Sequence, residues 1–172
     1  MTKKYIFIGS LVVAACLLSY WLRSQVSVPF GRPKLPSDIE AQIANFEEIP
    51  EVTWKMMYRL DYETGEGPDE LMKMDGKVVK IPGYIVPLTD EYSVVEEFLL
   101  VPDSQSCVHV PPPPPNLIVM VNLSEPVSAE QTWGPRWVVG VFSIENSESE
   151  YGGSAFRLNG VKVVKYEYER EK

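Results

Sequence analysis

The feature that most restricts the fold of this chain is a run of five consecutive prolines: Pro111, Pro112, Pro113, Pro114 and Pro115. Proline has no backbone N–H and its ring fixes φ, so the run cannot lie inside a central strand. It favours a polyproline II rod of about 15 Å, at about 3.1 Å per residue. The rod therefore separates two stretches of chain, and each must form its own secondary structure.

Strand-like sequence lies on both sides of this rod. Runs rich in β-branched and aromatic residues cover 77–88, 94–102, 116–123, 136–144 and 154–169. The first run is interrupted by Pro82 and Gly83 and the fourth contains Gly140, which indicates bent or bulged strands. Because no long helix follows residue 77, the sequence predicts a mainly β fold, a small antiparallel OB-like barrel, with a β-sandwich as the alternative. Its core is expected to include Val79, Tyr84, Leu99, Ile118, Val139 and Val163.

Short helices are predicted ahead of the strands. Ile39, Ile43 and Phe46 fall at the i, i+4, i+7 spacing of one helical face. Residues 52–60 are predicted to form a second short helical or extended piece, and residues 61–70 a turn.

The N-terminal residues have the composition of a membrane segment. Residues 5–22 carry no charge, and the basic residues Lys3, Lys4 and Arg23 flank them. As a helix, such a run spans about 27 Å, close to the roughly 30 Å of a hydrocarbon core. We predict an uncleaved signal anchor at 1–23, a proline-rich tether at 24–36 and a single exported β domain at 37–172. A cleaved signal peptide and a lipoprotein signal with Cys16 acylated are the alternatives.

The charge of the exported part limits its partners. Without the three flanking basic residues, 13 basic residues remain against 24 acidic ones, a formal net charge of −11. This excess argues against nucleic acid and against anionic lipid surfaces as partners. The sequence therefore predicts a domain delivered across the membrane, with the basic residues at positions 3 and 4 left inside.

Cys107 and His109 stand just before the prolines and are the best metal ligands of the chain. His109 is the only histidine, and Cys107 is the only cysteine outside the N-terminal apolar run. On an extended backbone, residues i and i+2 point the same way, so a thiolate and an imidazole could bind one zinc or copper(I) ion. With no other cysteine or histidine left, the remaining ligands would be carboxylates such as Asp103, water or a second molecule.

Two other interpretations of the same residues stay open. Cys107 could be a nucleophile activated by His109, which would make the protein a thiol-based enzyme or redox protein. Alternatively, both side chains could be structural, and the proline rod with Asn116 could dock a partner, as in an adaptor. No third orienting group or oxyanion-stabilising feature is evident in the sequence, which favours a non-enzymatic binding protein.

The motifs resemble those of a known family. "DGKVVKIPGYIVPL" at 75–88 and "VEEFLLVPDSQSCVHVPPPPPN" at 95–116, with the spacing between them, are similar to the pattern of the domain of unknown function 3299 family (DUF3299). The resemblance covers about residues 50–168. It implies a small exported or lipid-anchored protein of the bacterial cell envelope, with its domain in the periplasm and either a single inner-membrane span or a lipid anchor. It also implies an ABC-type permease or another envelope protein as the partner, a link to metal uptake, and no established catalytic activity.

Overall fold

A computed structural model of the chain describes residues 37–88, 93–104, 113–149 and 152–167. These residues all belong to one compact unit, Lys34–Lys172. The predicted signal anchor at 1–23, the tether at 24–36 and the alternative lipidation site Cys16 lie outside the described residues. Within the described ranges, no helix combines the length and the apolar character that a membrane span requires.

Five strands form the body of the described chain. They are β1 (Val78–Pro87), β2 (Val94–Val101), β3 (Val119–Ser128), β4 (Pro135–Ser149) and β5 (Gly152–Lys165). Each overlaps one of the five strand-like runs of the sequence, and the last run forms one long strand. The prediction of a mainly β fold is confirmed.

Short helices lie before and between the strands. The α-helices are α1 (Ser37–Ile43), α2 (Trp54–Tyr58) and α3 (Asp69–Met72), and the 3-10 helices are η1 (Phe46–Glu48), η2 (Pro115–Leu117) and η3 (Ala129–Thr132). The hydroxyl of Thr53 caps α2 by accepting a bond from the Met56 N–H at 3.3 Å. α3 lies partly in the stretch predicted as a turn, since Pro68 ends the turn and Asp69 and Glu70 place negative charge at the start of the helix.

The strands close into a barrel with the order β1-β2-β3-β5-β4. Four of the pairings between described strands are antiparallel, but β3 and β5 pair in parallel, with Val119 opposite Phe156. The predicted antiparallel barrel therefore contains one parallel pair. The reason is geometric, because an odd number of strands that alternate in direction cannot close into a ring without one parallel pair. The pairing of β3 with β5 is therefore a consequence of closing the ring with five strands.

The barrel encloses the main apolar core. Phe142 on β4 and Phe156 on β5 stack with their ring centroids 5.4 Å apart, and both side chains are fully buried. Side chains of the helical segments before β1 complete this core, among them Val52, Met57 and Leu71. Residues 50–72 are therefore part of the barrel fold and cover one end of its interior.

The segment before α2 also protects an edge of the barrel. β1 pairs with β2 only over its last residues, Tyr84–Pro87, which leaves the backbone of its first half without a partner on that side. The Lys80 N–H donates to the Pro50 carbonyl at 2.9 Å, and the Val52 N–H donates to the Lys80 carbonyl at 3.1 Å. These bonds satisfy an edge that would otherwise be open to pairing with another chain.

A second apolar cluster lies on the outside of β1 and β4. It joins Ile49, Val78 and Val139, with Ile39, Ile43, Phe46, Val141 and Val161 packed against it. Lys80 is buried beside this cluster, and its Nζ donates to the Phe46 carbonyl at 3.1 Å. The same Nζ lies 4.5 Å from the ring centroid of Phe46 and 5.5 Å from that of Trp137. The Phe46 carbonyl and the two aromatic rings take the place of the water that the Lys80 ammonium loses on burial. Because Phe46 belongs to η1, these contacts hold η1 against the barrel.

The predicted core residues divide into three groups. Val79 is fully buried in the main core, whereas Val139 is fully buried in the outer cluster. Leu99 and Ile118 are buried but belong to neither cluster. Tyr84 and Val163 are only half-buried, and Val163 packs against the main core. Tyr84 lies opposite Val101, the last residue of β2, and opposite Pro135, the first residue of β4. Val163 lies opposite Val138, near the end of β5.

Candidate functional site

The candidate site is the connection between β2 and β3, which carries the cysteine, the histidine and the prolines. β2 ends at Val101, whose side chain is buried, and Asp103 and Ser104 follow at the surface. Cys107, His109, Pro111 and Pro112 lie outside the described residues, so their arrangement stays a prediction. The structure does describe both ends of the connection, and these ends define where it leaves the barrel and where it returns.

The returning end begins as the predicted rod and changes conformation at its last proline. Pro114 is exposed and has φ −61° and ψ 152°, which lie near the polyproline II values. Pro115, however, opens η2, and the Leu117 N–H donates to the Pro114 carbonyl at 2.8 Å. Pro115 was predicted to belong to the rod, and instead it begins this turn. The turn also delays β3, which begins at Val119 rather than at residue 116.

Asn116 fixes this turn to the helical segment before the barrel. Its side-chain amide donates to the carbonyls of Tyr58 and Leu60, at 2.9 and 3.0 Å. Only 7% of the residue is exposed, and the Oδ1 atom is buried without a hydrogen-bond partner. The Tyr58 carbonyl lies at the end of α2, where the helix itself cannot satisfy it, and the Leu60 carbonyl follows two residues later. Asn116 was predicted as a partner-docking residue, and the structure places its side chain against its own chain.

A structured acidic turn follows directly after Leu60. The carboxylate of Asp61 accepts bonds from the backbone N–H groups of Thr64 and Glu63, at 3.1 and 2.9 Å. The Gly65 N–H also donates to the Asp61 carbonyl at 2.7 Å. These two bonds to the carboxylate hold the pKa of Asp61 below its ordinary value of 3.8, and the bond from Thr64 has the larger effect.

This turn is expected to loosen in acid. A carboxyl with a lowered pKa in the folded state contributes stability above its unfolded pKa, and this contribution is lost as pH falls through the folded value. The amides of Glu63 and Thr64 should therefore lose protection below pH 3.8, measured by hydrogen exchange corrected for the intrinsic rate. Asp61→Asn should remove this pH dependence. Glu66→Gln, which changes a carboxylate outside these two bonds, should leave it intact.

The metal-binding interpretation has one described ligand candidate, Asp103. This residue is exposed and makes an interaction within the protein. The described ranges contain no group of three or more histidine, cysteine, aspartate or glutamate side chains that could hold a metal ion. Any ion at this connection would therefore depend on Cys107 and His109, which is consistent with an open site and not with a closed four-ligand site.

The sequence motifs of this site belong to a described family. A family model, "Protein of unknown function (DUF3299)", matches residues 62–165, which is more than half of the chain. The chain belongs to the DUF3299 family. The match confirms the resemblance seen in the sequence, and it includes β1–β5 and the whole connection that carries Cys107 and His109.

A crystal structure of a DUF3299 family protein from Pseudomonas aeruginosa PAO1 is similar to this chain. The two share 34% sequence identity, with a TM-score of 0.57. The likeness covers 71% of this chain and 99% of the other. No curated protein matches the chain.

The sequence did not reveal two features of this DUF3299 domain. The contacts of Asn116 with Tyr58 and Leu60 join residues more than 50 positions apart, and no local pattern indicates such a contact. The buried position of Lys80 was also missed. Alternation along β1 places Lys80 on the same side of the strand as the apolar Val78. This neighbour was the one feature of the sequence that could have indicated the burial of Lys80.

Proposed function

We propose that this DUF3299 protein is a non-enzymatic binding module of the bacterial cell envelope, which binds zinc or copper(I) through Cys107 and His109. The observation that carries the proposal is the anchoring of Asn116 to Tyr58 and Leu60, which fixes the point where the ligand-bearing connection rejoins the barrel. A segment with a fixed end loses less conformational freedom when it binds a ligand, so less binding energy is spent on ordering it.

The ligand set suits exchange of the ion. A thiolate and an imidazole are ligands of zinc and of copper(I), and a carboxylate such as Asp103 or water would complete the coordination. Two strong ligands bind an ion more weakly than four, and they leave positions open to a second molecule. Such a site can transfer an ion, and the barrel does not depend on it for folding, since its apolar core is formed by other residues.

We infer that the barrel is OB-like. A closed ring of five strands in the order β1-β2-β3-β5-β4 supports this assignment. OB folds bind ligands of several classes, and the net charge of −8 makes nucleic acid the least suitable. The fold assignment is therefore compatible with a binding module without identifying its ligand.

The proposed location is the periplasmic side of the inner membrane. The uncharged run at 5–22 would hold the domain there as a signal anchor, or Cys16 would hold it as a lipoprotein. An ABC-type permease or another envelope protein is the proposed partner. Pro114 is exposed and Pro113 and Pro115 are half-buried, so this end of the rod could contribute to docking.

Metal binding is tested on the full-length chain, purified in mild detergent under reducing conditions. We expect one zinc or copper(I) ion per chain, measured by elemental analysis after removal of free metal. The double variant Cys107→Ser/His109→Ala should lose this ion. Because the fold does not depend on the ion, Cys107→Ser should change the Tm of the metal-free protein by less than about 2 °C. Asp103→Asn tests whether this carboxylate is a ligand.

Two results would favour the rival functions. If the wild-type chain binds no more zinc or copper than the double variant, the metal proposal fails. Rapid alkylation of Cys107 that slows in His109→Ala would then support a thiol-based enzyme or redox protein. Slow alkylation in both would favour the structural adaptor, with the proline rod as its docking element.

A further inference from the structure

Two cations face each other where β4 begins and β5 ends. Arg136 lies directly opposite Lys165 in the register of the two strands. Directly opposed residues project from the same face of a sheet, and like charges in such a pair repel each other. The ion pairs between described residues are Arg59–Glu70 and Arg157–Glu145, so neither Arg136 nor Lys165 is ion-paired with a described carboxylate.

The contacts of Arg136 leave much of its hydrogen-bonding capacity unused. Its Nη2 donates to the Glu130 carbonyl at 3.3 Å, a neutral acceptor. Its Nε is buried and has no hydrogen-bond partner. A guanidinium has five N–H donors in a planar fork that matches a carboxylate. Lys165 is exposed and adds a second cation beside it.

A large exposed aromatic side chain lies three residues before Arg136 in the chain. Trp133 is 72% exposed, the largest value among the exposed apolar side chains of the described residues. Its backbone N–H donates to the Glu130 carbonyl at 3.4 Å, so Trp133 and Arg136 converge on one acceptor. Gly134, with φ 72°, reverses the chain between them. The turn therefore connects the exposed Trp133 to Arg136 within a short stretch of chain.

We propose that Trp133, Arg136 and Lys165 form a docking site for an acidic, extended segment of a partner protein. The two cations would bind a carboxylate of that segment, and Trp133 would pack against its apolar side chains. Tryptophan and arginine are enriched among the residues that dominate protein interfaces. The two cations complement the carboxylates of an acidic segment.

The test uses the full-length chain and two synthetic hexapeptides, in which phenylalanine alternates with glutamate or with glutamine. Binding is followed by the NMR signal of the Trp133 indole N–H and by calorimetry. We expect the glutamate peptide to bind and the glutamine peptide to bind at least about tenfold more weakly, as expected for loss of a charge-assisted pair. Arg136→Gln and Lys165→Gln should each weaken binding of the glutamate peptide about fivefold.

Matched variants separate docking from a structural role. Lys162→Gln removes an exposed cation of β5 that lies opposite Val139, and it should leave the affinity unchanged. Arg136→Gln and Lys165→Gln should keep or raise the Tm, since each relieves the repulsion between the pair. Trp133→Ala should weaken binding of the peptide but not of citrate, a small anion without an apolar part.

Three outcomes would overturn the proposal. The first is equal affinity of the glutamate peptide for wild type and for the Arg136→Gln/Lys165→Gln double variant. The second is binding of citrate without binding of the peptide, which would leave only a small-anion site. The third concerns the double variant Asp90→Asn/Glu91→Gln. If this variant binds the glutamate peptide more tightly than wild type and has a lower Tm, carboxylates of the chain itself are the partners of the two cations.

Discussion

Gly140→Ala is expected to destabilise the protein by about 3 kcal/mol, at the upper end of the usual cost of overpacking. A Cβ at this position would lie 2.4 Å from the Asn159 carbonyl oxygen and 2.8 Å from the Gly160 Cα. These are backbone atoms of the neighbouring strand, so no side-chain rotation can relieve the contact. β4 and β5 would have to separate at the irregularity that follows Val139, where their register shifts.

Gly134→Ala is the matched control for this variant. A Cβ on Gly134 meets no atom within 4 Å, but its φ of 72° disfavours alanine, so only a backbone penalty of about 1 kcal/mol is expected. Urea unfolding curves with unchanged m values give the two free energies of unfolding. Equal losses for both variants would show that the close approach of β4 and β5 at Gly140 does not limit stability.

Asn116→Leu is expected to cost about 3 kcal/mol, because it leaves one buried and one partly buried backbone carbonyl without this donor. The side chains have similar sizes, so the loss reports the hydrogen bonds to Tyr58 and Leu60 rather than a cavity. The effect should be local as well as global. Amides of α2 and η2 should exchange faster than those of β4, since the variant disconnects these two elements first.

The control for this variant is Asn122→Leu. The Asn122 amide donates to the Glu97 carboxylate at 2.8 Å in an exposed pair, and the loss of such a surface contact should cost less than about 1 kcal/mol. A smaller loss for Asn116→Leu than for Asn122→Leu would contradict the anchoring role of Asn116. The proposed function would then lose its main structural support, whatever the metal content of the protein.

The strands were predictable because their apolar residues follow local rules. β1, β2 and β4 begin within one residue of the predicted positions, since β-branched runs interrupted by glycine and proline mark them clearly. β3 began later than predicted because residues 115–117 form η2, and this turn depends on the distant anchor of Asn116. The parallel pairing of β3 with β5 also depends on closure of the whole ring.

The candidate site was less predictable than the fold. The spacing of Cys107, His109 and the prolines located the connection between β2 and β3, because proline chemistry is local. Asn116 was assigned to partner docking because nothing near it in the sequence indicates the carbonyls of Tyr58 and Leu60. Likewise, the opposition of Arg136 and Lys165 is a property of the β4–β5 register, which shifts twice along its length.

The pairing of β5 with β3 sets a limit on how early this barrel can form. β1 and β4 pair through residues far apart in sequence, such as Val78 and Val141. β5 is the last of the five strands to be synthesised, yet it lies between β3 and β4 in the closed barrel. Contacts that are distant in sequence slow folding, because the chain must close long loops before it gains from them. A nascent chain that ends before Phe156 therefore has an unpaired edge on β3 and an open core, so chaperones and proteases can recognise truncated products until the last strand is made.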